Sequence, residues 1–136
     1  MIIQEVNSIE MASLTIVYDN LSPLDEGEGR RGISHFIEHM IGRSVVSLLP
    51  KIHEYGISDD FCTNYEHVRA SFVGTADAVE KMAFEIVRQI AFFDANRFTE
   101  EDFENERQSI INEMTQAYSD TVYGTLRECQ RKTFGI

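Results

Sequence analysis

Residues 35–39 read His-Phe-Ile-Glu-His. On a helix, His35 and His39 stand one turn apart on one face, and Glu38 shares much of that face. Two imidazoles at this spacing can take two corners of a zinc tetrahedron, with metal–nitrogen bonds of about 2.0–2.1 Å. A third protein ligand leaves the fourth corner for water. A carboxylate beside that water can accept its proton and later pass it to a leaving amine. The same three residues also suit a solvated polar helix face, and the short motif alone leaves both readings open.

The elements that must hold these residues can be read from the pattern around them. Ile33, Phe36, Ile37 and Met40 recur at helical spacing, so the motif sits on a helix over Ile33–Ile41. Upstream, the β-rich run Ser13–Tyr18 predicts a strand that turns at Asp19-Asn20. A loop rich in Gly, Asp and Glu follows from Leu21 to Gly32 and carries Asp25, Arg30 and Arg31 as solvated residues. Downstream, Ser44 is a candidate cap for a second helix, and Pro50 predicts a kink or a late start there. Two strands, Ile57–Thr63 and His67–Val73, flank a polar corner at Asn64-Tyr65-Glu66. Ala76–Phe93 has the apolar spacing of an amphipathic helix. Thr99 with Asp102 makes a near capping box for a last helix, expected to run to about Arg127. The order β-α-α-β-β-α-α lacks βαβ alternation. It predicts an α+β layered fold in a single domain over residues 1–136.

Composition narrows the function classes. The chain has 136 residues, of which 43% are hydrophobic, so one ordinary core is within reach. A formal net charge of −11 argues against nucleic acid and against an anionic membrane surface as partners. No apolar run approaches the roughly 20 residues that span a bilayer. Met1–Ala12 lacks the basic start and apolar centre of a signal peptide. Two cysteines, Cys62 and Cys129, make no disulfide framework, so free thiols in a reducing, cytoplasmic-type compartment are expected. His53 and His67 have no ligand spacing to each other and read as ordinary histidines.

The run Gly32–Met40, GISHFIEHM, closely resembles the G-[IL]-[AS]-H-[FL]-x-E-H-M block of the pitrilysin-type (inverzincin) zinc metallopeptidases. That family includes insulin-degrading enzyme and the mitochondrial processing peptidase. Further stretches resemble it in the same order. These are the strand and acidic loop before the motif, GISDDFCTNYEHVRASF over Gly56–Phe72, and FENERQSIINEM over Phe103–Met114. The resemblance covers roughly Ser13–Gly135 and implies a metallopeptidase-like α/β roll, an antiparallel sheet packed by helices. It implies a Zn2+ site of His35, His39 and Glu113, the last lying 113 − 39 = 74 positions beyond His39. It makes Glu38 the general base and places Glu106, two turns before Glu113, in the catalytic set as a residue that orients the ligands. On the residues alone, Glu106 and Glu113 also fit an exposed acidic helix face.

The resemblance further implies that an extended or unfolded peptide adds to the strand bearing Asp60, Phe61 and Thr63. Asp60-Phe61 stands where the family has Asn-Ala, and an acid there predicts a preference for basic substrate residues. Family domains continue past the zinc-ligand helix, so the chain reads as truncated relative to the family domain. A homo-oligomer or a companion chain is expected to supply the missing half and its oxyanion-stabilising Arg and Tyr. The expected function is a zinc-dependent endopeptidase. The alternative is a non-catalytic peptide-binding or scaffold subunit of a larger assembly.

Overall fold

Alternate residues Leu14, Ile16 and Tyr18 turn inward along one strand, as do Val68, Ala70 and Phe72 along its neighbour. The period of two gives each strand one apolar face, and that face needs a helical layer to cover it. A computed structural model describes residues 2–5, 10–119, 124–125, 128–129 and 132–133. The chain forms two compact units, Met1–Ala95 and Asn96–Ile136.

The first unit holds strands β1 (Ile2–Glu5), β2 (Met11–Tyr18), β3 (Ser58–Thr63) and β4 (Val68–Thr75). Its helices are α1 (Ile33–Val45), α2 (Leu49–Glu54) and α3 (Ala76–Ala91). The sheet is antiparallel throughout, in the order β1-β2-β4-β3. Leu14, Val68, Ala70 and Phe72 meet Ile41 and Val45 of α1, Ile52 of α2, and Val79, Met82, Ile86 and Ile90 of α3 in one core. Full burial of a side chain such as Phe72 contributes about 1.5–3 kcal/mol. The second unit is built on α4 (Glu100–Ser119). Thr99 and Asp102 cap it reciprocally: each backbone N–H donates to the other's side-chain oxygen, at 2.8 and 3.1 Å.

The fold is α+β, as the element order predicts. Two local readings change. A first strand, β1, precedes those read from the sequence. Ser44 caps nothing, because α1 runs on to Val45 and the Ser44 hydroxyl donates back to the Ile41 carbonyl at 2.6 Å. Of the two outcomes Pro50 predicts, the late start is the one found: Leu48 is the N-cap and Pro50 lies in the first turn, where a missing N–H costs nothing. The expected extension of α4 toward Arg127 falls partly outside the described residues.

Candidate metal centre

The loop before α1 sets the start of the motif helix. Gly32 has φ of 88°, in the left-handed region that favours glycine, and stands at the N-cap with no side chain to offer. Glu26 supplies the cap from six residues upstream. Its carboxylate accepts the Gly32 N–H at 2.6 Å and the Ser34 N–H at 2.7 Å. Two otherwise orphaned donors are thereby satisfied, and a negative charge sits at the positive end of the helix.

His35, Glu38 and His39 follow within the next two turns. Both imidazoles are half-buried, and Glu38 is 8% exposed. The Nε2 atoms of His35 and His39 lie 3.2 Å apart, with ring planes at 75°. Two lone pairs cannot face each other at that distance. Either one nitrogen carries a proton and donates it, or both point at a shared cation. Tetrahedral zinc with bonds of about 2.0–2.1 Å sets its corners about 3.3–3.4 Å apart, so the observed separation suits two zinc ligands. The donor chemistry and its spacing therefore fit the ion.

Packing of α1 on β3 fixes the carboxylate between the histidines' helix and the sheet. The Phe61 ring lies against α1 at Gly42, 3.9 Å from where a Cβ would stand, and meets Phe72 edge-on at 5.9 Å. Two residues along, the Thr63 hydroxyl donates to Glu38 Oε2 at 2.7 Å. Glu38 Oε1 takes no hydrogen bond from the described residues.

Among the described residues, β3 lies at one edge of the sheet and β1 at the other. The pairing parity of β3 follows from the corner, where the Asn64 N–H donates to the His67 carbonyl at 3.0 Å. Counting back in twos along the register, Cys62/Arg69, Asp60/Ser71 and Ser58/Val73 are the hydrogen-bonded pairs. The backbone N–H and C=O groups of Asp59, Phe61 and Thr63 then face the outer edge. The side chains on β3 divide accordingly. Phe61 is committed to packing, Asp59 takes a 2.6 Å hydrogen bond with His53, and Thr63 reaches Glu38. Asp60 lies on the opposite face, where the Arg69 guanidinium donates to it at 3.0 Å. A basic substrate residue would have to compete with Arg69 for that carboxylate.

Glu106 and Glu113 lie two turns apart on α4, in the second unit. Glu106 is half-buried and Glu113 exposed, the latter accepting a long 3.5 Å contact from the Ser109 hydroxyl.

Two features of the first unit were not visible in the motif. Glu26 caps across a loop, so no fixed spacing announces it. The Thr63–Glu38 bond joins residues 25 apart and depends on how β3 meets α1. No helix among the described residues is long and apolar enough to cross a membrane. No protein-family model matches the chain, and no curated protein matches it.

Proposed function

We propose that the chain is a zinc-dependent endopeptidase acting on extended or unfolded peptides, the reading implied by its resemblance to the pitrilysin-type family. The observation that carries it is the convergence of the His35 and His39 Nε2 atoms at 3.2 Å, one residue from a buried carboxylate at Glu38. His35 and His39 would hold the ion, with Glu113 as third ligand on the strength of the resemblance. Bound zinc supplies Lewis acidity, which polarises an amide carbonyl and acidifies water.

The chain's own groups do the rest. A peptide pairs as a new strand with the outward backbone of Asp59, Phe61 and Thr63, an addition that needs no particular side chain. Glu38 Oε1 takes a proton from the attacking water as the new C–O bond forms. It returns that proton to the amide nitrogen as the C–N bond breaks. By the same resemblance, Glu106 would orient the ligand set. A companion chain or a second copy belongs to the proposal as the source of further groups around the carbonyl.

The non-catalytic alternative keeps the open β3 edge and dispenses with the chemistry. One experiment separates the two: cleavage of a quenched peptide by protein loaded with one equivalent of zinc. Turnover that falls by about 10²–10⁴-fold in Glu38→Gln, with zinc retained, is the expected result. Zinc and peptide bound without turnover in the native chain would assign it to the binding module instead.

A further inference from the structure

Thr63 stands at a junction. Its backbone N–H and C=O belong to the outward-facing set on the edge of β3, by the parity set at the Asn64–His67 corner. Its hydroxyl donates to Glu38 Oε2 at 2.7 Å. Glu38 is buried, and the described residues give its carboxylate no other hydrogen bond. A carboxylate on a helix has several rotamers, and an unheld one would sample them. The donated bond selects one and leaves Oε1 as the oxygen able to accept a proton.

We propose that Thr63 is a positioning residue that ties the base to the substrate strand: the residue whose backbone pairs with a bound peptide also fixes the Glu38 carboxylate through its hydroxyl. This rests on the peptidase reading above and deepens it. A peptide laid along β3 restrains the pleat at Thr63, and that restraint passes through one hydrogen bond to the proton acceptor. Extended peptides able to pair as far as Thr63 are therefore the substrates turned over best. Peptides too short to reach it bind with a less well-ordered base.

The test compares Thr63→Val, which keeps shape and β-branching, with Thr63→Ser, which keeps the hydroxyl. In zinc-loaded protein, Thr63→Val should lower kcat by about 10–100-fold, the range for removing a group that orients a functional side chain. KM and zinc affinity should stay within about threefold, because neither the backbone edge nor the ligands change. Thr63→Ser should recover most of the rate. A loss confined to KM, or an unchanged kcat in Thr63→Val, would overturn the proposal. A second readout needs no activity: a double-mutant cycle of Thr63→Val and Glu38→Ala, each of which removes the hydrogen bond, on the unfolding of the metal-free protein. Non-additive effects are expected, and additive ones would show that the two side chains do not act together. If the native chain cleaves nothing, the peptidase reading fails on that result. The cycle then decides by itself whether Thr63 holds Glu38.

Discussion

Replacing Glu26 by alanine removes a cap that the motif helix cannot replace from its own sequence. Gly32 occupies the N-cap without a side chain, and the Gly32 and Ser34 N–H groups both depend on the Glu26 carboxylate, at 2.6 and 2.7 Å. Loss of a side-chain cap costs about 1 kcal/mol, and loss of a negative charge at a helix start about 0.3–1 kcal/mol more. Both donors here are partly shielded from water, which raises the cost of leaving them unpaired. Together these terms amount to about 2 kcal/mol, or a fall in Tm of about 7–10 °C for a cooperative unit of this size. Glu26→Gln keeps an acceptor without the charge and should fall about halfway. Glu28, exposed in the same loop, is the control, and its alanine variant should lie within about 0.5 kcal/mol of the native protein. Thermal unfolding followed by circular dichroism reads all three. His35 is the third residue of α1, so zinc affinity should fall in Glu26→Ala as the first turn frays. A Glu26→Ala protein that melts with the native one, or a Glu28→Ala protein that melts as low as Glu26→Ala, would refute the capping argument.

Further outcomes are expected elsewhere in the chain. Glu113→Gln should abolish tight zinc binding while Glu106→Gln weakens it about 10–100-fold, as measured by competition with a chelator; a reversed order would move the third ligand to Glu106. Gly74→Ala should cost about 1–3 kcal/mol in urea unfolding. Its Cβ would stand 2.9 Å from Ile57 Cγ1 and 3.3 Å from Ile57 Cα, and Ile57 is buried. A neutral Gly74→Ala would show that β4 can shift without loss. Burial holds the Tyr18 hydroxyl above its ordinary pKa of 10.0, so the folded state keeps a proton that the unfolded state releases. That contribution is fully present below pH 10 and declines as pH rises through the folded value. Tyr18→Phe should therefore flatten the alkaline side of the stability profile, and an unchanged slope would exclude Tyr18 as its source.

The sequence carried the parts of the fold that depend on local pattern. A β-rich run ending in a turn located β2, the polar corner at Asn64-Tyr65-Glu66 located β3 and β4, helical spacing located α1 and α3, and Thr99 with Asp102 marked the start of α4. β1 escaped because IIQE is four residues long and too short to show a period. Ser44 misled because a serine near a helix end can bond backward to the i−3 carbonyl as readily as forward to a free N–H. Of the candidate site, the pairing of His35 with His39 was legible because one helical turn brings them together. The Glu26 cap and the Thr63–Glu38 bond were not, since each needs a loop path or a strand position that no single segment encodes. Phe61 illustrates the same limit. The strand read over Ile57–Thr63 includes it, but only the packing of α1 against that strand turns its ring onto the core and leaves its backbone at the open edge.

Metal content tests the central claim most directly. Protein reconstituted with zinc and passed through a desalting column should retain about one zinc per chain by elemental analysis, and His39→Ala should retain almost none, because the 3.2 Å pair of ring nitrogens is then broken. A native chain that keeps no zinc, or a His39→Ala variant that keeps as much as the native chain, would contradict the account.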